Sequence, residues 1–246
     1  MNNRDSDSEW WEGGLKQALA LPASVQIVGR DVAVGDFDDA EHLLPPPLRR
    51  ASPKRKTEYL AGRQCAAGAL AAAGCVGATA PGMDEDRLPI WPSGWLGCIT
   101  HSNGRAIAAA GSAAQTRLLG IDVEKLIDPA LVDGIGALVT LEGELALLTG
   151  QIFGHGIGQT TGYSLSQALT ILFSAKESLY KALYPEVRRF MDFSAARIAA
   201  WTPGLLDLRL VEDWHPEWRA GSMLQVRYAL RGDCVYTALH LAHPTP

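Results

Sequence analysis

The chain has 246 residues, 47% of them hydrophobic, and a formal net charge of −5. That length can hold one large domain or two small ones around a substantial core, and the negative balance disfavours bulk attraction to nucleic acid. The polar start, Met1-Asn2-Asn3-Arg4-Asp5, lacks the apolar stretch of a secretory signal, and the four cysteines, Cys65, Cys75, Cys98 and Cys234, show neither a CxxC pair nor zinc-ligand spacing. Reduced thiols in a cytoplasmic protein are expected.

Residues 1–48 mix acidic turns with Pro45-Pro46-Pro47 and hold one or two strands around 25–34. Ser52 then supplies an N-cap and Pro53 a first-turn proline, opening a helix that runs through the alanines until Gly74 ends it. The Ala-rich run at 66–80 is short and interrupted by Gly68, Gly74 and Gly77, so it reads as a packed helix rather than a membrane span. Segments 96–100, 106–110 and 118–124 read as a three-strand meander, with Asn103-Gly104 as its first turn. Helical segments follow near 129–148 and 166–183, then strands near 205–211, 223–230 and 234–241. Helix followed by meander occurs twice, which argues for α+β rather than a parallel doubly wound sheet. The Gly- and Thr-rich segment 150–162 does not satisfy GxGxxG spacing and reads as a surface loop that could act as a lid.

The chemistry concentrates in Gly120-Ile121-Asp122-Val123-Glu124 and, about fifty residues later, Phe173-Ser174-Ala175-Lys176-Glu177-Ser178-Leu179-Tyr180-Lys181. On a strand, Ile121 and Val123 enter the core while Asp122 and Glu124 share the other face. Two carboxylates facing the same way repel each other unless a proton or a cation lies between them. A strand of solvated charges is the plainer alternative. On the helix, Leu172, Ala175, Leu179 and Leu183 form one stripe, and Ser174, Glu177 and Lys181 lie opposite. Taken alone, Glu177 and Lys181 would be an exposed i,i+4 pair worth a few tenths of a kcal/mol. Coupled to the strand acids they suggest a site for magnesium, which takes a few carboxylate oxygens and leaves its other positions to water and substrate phosphate.

Together with 55–63 (Arg-Lys-Thr-Glu-Tyr-Leu-Ala-Gly-Arg) and 88–102 (Leu-Pro-Ile-Trp-Pro-Ser-Gly-Trp-Leu-Gly-Cys-Ile-Thr-His-Ser), these motifs resemble the 4′-phosphopantetheinyl transferases, especially the bacterial branch typified by the enterobactin-synthase transferase. The four blocks fall in the family's order. The resemblance implies a pseudo-twofold pair of similar α/β halves, 1–119 binding the coenzyme A phosphates and 120–246 carrying the metal and catalytic residues, with the active site in the cleft between them. It implies transfer of 4′-phosphopantetheine from coenzyme A to a serine of an apo acyl, peptidyl or aryl carrier protein, with magnesium, releasing 3′,5′-ADP. Asp122, Glu124 and Glu177 would be the metal ligands, water standing in where Glu177 does not reach. Glu177 would be ligand or general base, and Lys181 would serve the leaving pyrophosphate oxygen. Arg55 and Arg63 match positions that hold the 3′-phosphate, whereas Arg87 and His101 would be further phosphate contacts, with Thr100 or Ser102 hydroxyls assisting.

Carriers of this kind are acidic helical modules, so Arg188, Arg189, Phe190 and Met191 form a candidate docking patch, with reversal of the arginine charges expected to raise the carrier KM. No nucleic acid or membrane partner is expected, and the two-half architecture suggests a monomer. No HExxH, GxSxG or Walker loop is present. The alternatives are a magnesium-dependent hydrolase of coenzyme A or nucleotide pyrophosphate, and a non-catalytic coenzyme A or carrier-binding module.

Overall fold

The computed structural model describes residues 9–148 and 162–244. Apart from Gly162, the loop expected at 150–162 lies outside the described residues. A short helix α1 (Leu15–Ala18) precedes β1 (Val25–Asp31), and the first long helix is α2 (Pro53–Ala72). Ser52 Oγ accepts the Arg55 amide and Pro53 fills the first turn, while Gly74 takes the left-handed conformation (φ 94°) just beyond the last turn. Both helix signals read from the sequence therefore operate as capping chemistry requires.

A two-stranded hairpin, β2 (Gly82–Met83) with β3 (Pro89–Ile90), leads to β4 (Trp95–Ser102), β5 (Arg105–Ser112) and β6 (Thr116–Lys125). Asn103 and Gly104 turn between β4 and β5 with φ of 49° and 70°. After helices α3 (Val132–Val139), α4 (Glu144–Leu148) and α5 (Leu165–Val187) come β7 (Ala196–Thr202), β8 (Leu205–Leu210), β9 (Met223–Arg231) and β10 (Cys234–Ala242). The longer strands form two antiparallel sheets, ordered β1-β5-β4 and β6-β10-β9-β8-β7. The fold is thus mixed α and β, built on antiparallel sheets.

Three local expectations are corrected. The strand at 118–124 is not the third of a meander: both sides of β5 are already taken by β1 and β4, so β6 pairs with β10. The single helix expected near 129–148 is two, because Glu144 turns back to accept the Leu141 amide (2.7 Å) between them. β7 was missed because Ala-Arg-Ile-Ala-Ala-Trp-Thr is too rich in small residues to show clear alternation.

The core is layered. Ala61, Ala66 and Ala69 of α2 meet Ala106, Ala108 and Ala110 of β5, and these small side chains bring helix and sheet close together. The opposite face of that sheet shares a cluster with Leu119, Ile121 and Val123 of β6 and with Tyr236 of β10. On the far face of the second sheet, Leu169, Leu172, Leu179 and Leu183 of α5 pack over Leu208, Val226 and Leu239. β6 therefore points its odd-numbered residues at one core and its even-numbered residues at α5. Gly120 is required there. A Cβ at that position would lie 2.0 Å from the Ser178 carbonyl oxygen and 2.8 Å from the Ala182 nitrogen. Because the obstacle is helix backbone, Gly120→Ala should cost at least about 3 kcal/mol, the upper range for overpacking. Chemical denaturation would check this, an unchanged midpoint being incompatible with the packing described.

Candidate active site

Where β4 and β6 run side by side they belong to different sheets, and side chains replace the missing backbone ladder. Cys98 Sγ accepts the Ile121 amide at 3.3 Å, Thr100 Oγ1 accepts the Val123 amide at 3.4 Å, and Ser102 Oγ donates to Glu124 Oε2 at 3.0 Å. The period of two puts Cys98, Thr100 and Ser102 on one face of β4. His101 takes the opposite face and lines a cleft.

Asp122 is the hub of this seam. Its Oδ1 accepts from Thr100 Oγ1 at 2.9 Å and from Lys181 Nζ at 2.6 Å, while Oδ2 accepts from Ser174 Oγ at 2.7 Å. Lys181 also donates to Thr100 at 3.2 Å. Burial alone would lower the lysine pKa, but the Asp122 charge, Cys98 and Glu177 hold it above its ordinary value. The Thr100 and Ser102 hydroxyls, expected beside His101 on phosphate, are instead committed to the two strand carboxylates and lie outside the cleft lining. Sequence reasoning gave Ser174 no role, although it sits in the quoted helix motif on the Glu177 face.

Burial first, and then the Asp122 charge, push Glu124 up to about 7. Burial likewise raises Glu177, with Lys181 opposing and Asp122 reinforcing the shift. The three acids therefore share one field, and Lys181 is the cation that offsets it. Among the described residues no three His, Cys, Asp or Glu side chains are drawn together as a ready-made metal site. The donor chemistry nevertheless suits magnesium, which binds through one or two carboxylates and completes its shell with water and phosphate. A raised Glu124 marks a place where a proton or a cation is wanted.

That elevation makes a prediction for the metal-free protein. The unfolded chain ionises Glu124 near its ordinary value of 4.5 and the folded chain only near 7, so the folded state binds the extra proton between those limits. Stability linked to this group is intact below about pH 4.5 and is lost as pH rises toward 7, by roughly 3 kcal/mol in all. Glu124→Gln should remove this component, so that the variant gains on the parent between pH 5 and pH 8 in denaturant titrations. Parallel profiles would contradict it.

The cleft has a volume of about 530 Å³ and is walled by α2, β4, β6 and α5. Arg55, Arg63, Arg87, His101 and Lys181 all line it. Arg63 is buried, with its guanidinium carbon 4.9 Å from the Tyr59 ring centre, and its Nε has no hydrogen-bond partner among the described residues. A buried, unmatched guanidinium donor on a cavity wall calls for an anion. Arg87 is held at a φ of 67°, an uncommon conformation for a side-chain-bearing residue, in the turn between β2 and β3.

Glu177 opens elsewhere. It lines a smaller hollow of about 120 Å³ with Tyr180, Phe190, Met191 and Trp214, and Tyr180 borders both cavities. Phe190 is 78% exposed at that rim. The two arginines proposed to meet an acidic carrier are tied to this chain's own acids: Arg188 to Asp84 and Asp86, Arg189 to Glu212.

A family model described as the 4′-phosphopantetheinyl transferase N-terminal domain matches residues 40–111, and a model of the 4′-phosphopantetheinyl transferase superfamily matches residues 118–231. Enterobactin synthase component D of Salmonella typhimurium is 33% identical over 191 residues, 74% of each chain. The 4′-phosphopantetheinyl transferase Svp of Streptomyces mobaraensis is 34% identical over 206 residues, covering 77% of this chain and 79% of its own. PptT of Mycobacterium tuberculosis, also named a 4′-phosphopantetheinyl transferase, is 29% identical over 241 residues, 93% of this chain and 99% of its own. With the acidic strand, the Glu177–Lys181 helix and the basic cleft in family order, the chain belongs to the 4′-phosphopantetheinyl transferase superfamily, in its enterobactin-synthase-like branch.

Proposed function

We propose that this protein transfers 4′-phosphopantetheine from coenzyme A to a serine of an apo carrier protein and releases 3′,5′-ADP, with magnesium as the resident cation. The observation that carries the reading is the divergence of two residues one helical turn apart. Lys181 faces the large basic cleft, and Glu177 faces the small hollow beside Phe190. In-line displacement at phosphorus needs leaving group and nucleophile on opposite sides of the reacting atom. α5 would supply one residue to each side.

In this assignment coenzyme A lies in the cleft, its 3′-phosphate on Arg55 and Arg63, with Arg87 and His101 as further phosphate contacts. The guanidinium fork suits a phosphate better than a lysine point charge does. Lys181 stabilises the leaving pyrophosphate oxygen. Glu177, with its raised pKa, takes the proton of the incoming serine, directly or through a water it orients. Asp122 and Glu124, with Glu177 or water, would hold magnesium, which supplies charge neutralisation at the pyrophosphate. The positioning residues are Thr100, Ser102 and Ser174, which fix the carboxylates and do not touch substrate.

The cleft lies between two halves, 1–119 and 120–246, each a helix packed on an antiparallel sheet and related by a pseudo-twofold. The carrier approaches over Phe190, an apolar contact that does not require the arginines beside it. Names of the relatives point to siderophore carriers as acceptors. We place the protein in the cytoplasm as a monomer; among the described residues no helix is long and apolar enough to cross a membrane.

The test is intact-mass spectrometry of a panel of apo carriers incubated with the protein, coenzyme A and magnesium. Carriers should gain one phosphopantetheine, and 3′,5′-ADP should appear only when a carrier is present. Release of 3′,5′-ADP without a carrier would instead establish the hydrolase.

A further inference from the structure

His101 sits between two partners that fix which of its nitrogens carries the proton. Arg55 Nη1 lies 2.5 Å from His101 Nε2, and a guanidinium can only donate, so Nε2 is the acceptor. The ring proton is therefore on Nδ1, the atom 3.5 Å from Glu58 Oε2. Glu58 also gathers the cations of its own helix, with Arg55 Nη1 at 4.0 Å and Lys54 Nζ at 3.8 Å. In this tautomer the atom facing the cleft cations presents a lone pair, which would repel a phosphate oxygen.

Building on the reading that the cleft holds coenzyme A, we infer that Glu58 is a positioning residue: it holds the Nδ1 proton of His101, so that one proton taken from solvent at Nε2 makes the ring a charged donor to a coenzyme A phosphate. Arg55 turns from the ring to the same phosphate. The charged groups facing the imidazole are Glu58 and Arg55 from α2 and Lys181 from α5. Burial, Arg55 and Lys181 keep the ring neutral, against Glu58. An arriving phosphate dianion reverses the balance by compensating the two cations. Glu58, on the far side of the ring, then stabilises the imidazolium without touching substrate.

The consequence is proton uptake coupled to coenzyme A binding, which isothermal titration calorimetry reads by comparing buffers of different ionisation heat. For the full-length protein at pH 8, uptake of about one proton per coenzyme A is expected. Glu58→Gln should at least halve the uptake and weaken coenzyme A binding about tenfold, and Glu58→Asp should restore part of both. His101→Gln should abolish the uptake, and adding Glu58→Gln to it should weaken binding no further. Unchanged uptake in Glu58→Gln, uptake that survives in His101→Gln, or additive loss in the double variant would each overturn the role of Glu58. Should Glu58→Gln fail to fold, the parent and His101→Gln decide the matter by the same criterion. Tight binding by the parent with no uptake overturns the Glu58 role alone, whereas no binding of coenzyme A overturns it together with the functional reading.

Discussion

Asp122→Asn should reduce carrier loading by about a thousandfold or more, the scale expected when a charge that organises a phosphoryl-transfer site is removed. Asparagine keeps the size and one acceptor oxygen, so the hydrogen bond from Thr100 can persist while the Ser174 hydroxyl reverses to accept from the amide nitrogen. What disappears is the negative charge that Lys181 approaches to 2.6 Å. On the proposed mechanism the loss would fall on two parts of the site at once: magnesium would lose a buried ligand, and Lys181 would be released from the position that would aim it at the leaving oxygen. Coenzyme A binding without magnesium should change by less than about tenfold, because Arg55 and Arg63 are untouched and the lost interaction belongs to the transition state. Single-turnover loading assays and calorimetry separate these effects. A non-catalytic binding module would show little change in either, and retention of more than about a tenth of the turnover would remove Asp122 from the centre of the mechanism.

The second large effect is on stability, at the residue just before Glu177. Lys176 is buried and donates to Glu144 Oε2 (3.0 Å), the Val139 carbonyl (2.8 Å) and the Phe193 carbonyl (3.0 Å), so all three ammonium protons are used. Glu144 is equally buried and also accepts the amides of Leu141 and of Ile198 at the start of the last meander. This pair ties α3, α4, α5 and β7 together. Lys176→Met leaves a buried carboxylate without its counter-charge, which should cost about 3–5 kcal/mol. Combining it with Glu144→Gln should recover part of this, since the stranded charge is gone and the amide oxygen still serves one of the two backbone donors. Urea denaturation of the two singles and the double makes the cycle. Purely additive losses would mean that the pair does not act as one unit.

What the sequence made visible was local and periodic. Alternation along 118–124 placed Asp122 and Glu124 on one face because a strand has a period of two, and Ser52-Pro53 announced α2 because capping chemistry acts within one turn. The wheel put Ser174, Glu177 and Lys181 together for the same reason. Hidden from it was whatever depended on a partner far along the chain. No local pattern says that β6 will pair with β10, because the reason is that β5 has no free edge. The hydroxyls of Thr100 and Ser102 looked available for phosphate until the seam between the sheets brought them onto Asp122 and Glu124, some twenty residues on. Lys176 stood in the quoted helix motif without a role, since its partner Glu144 lies 32 residues before it. Glu58 was within the quoted Arg55 to Arg63 block, and only the position of His101, 43 residues later, gives it a task.

The central claim is that the acidic face of β6 and α5 binds a divalent cation jointly with coenzyme A, the substrate phosphate completing a site that the side chains do not close alone. Electron paramagnetic resonance of added manganese, titrated with and without coenzyme A, tests it most directly. The account predicts that coenzyme A tightens manganese binding at least about tenfold and that Asp122→Asn abolishes the gain. Equal manganese affinity with and without coenzyme A, or a gain that survives in Asp122→Asn, would contradict it.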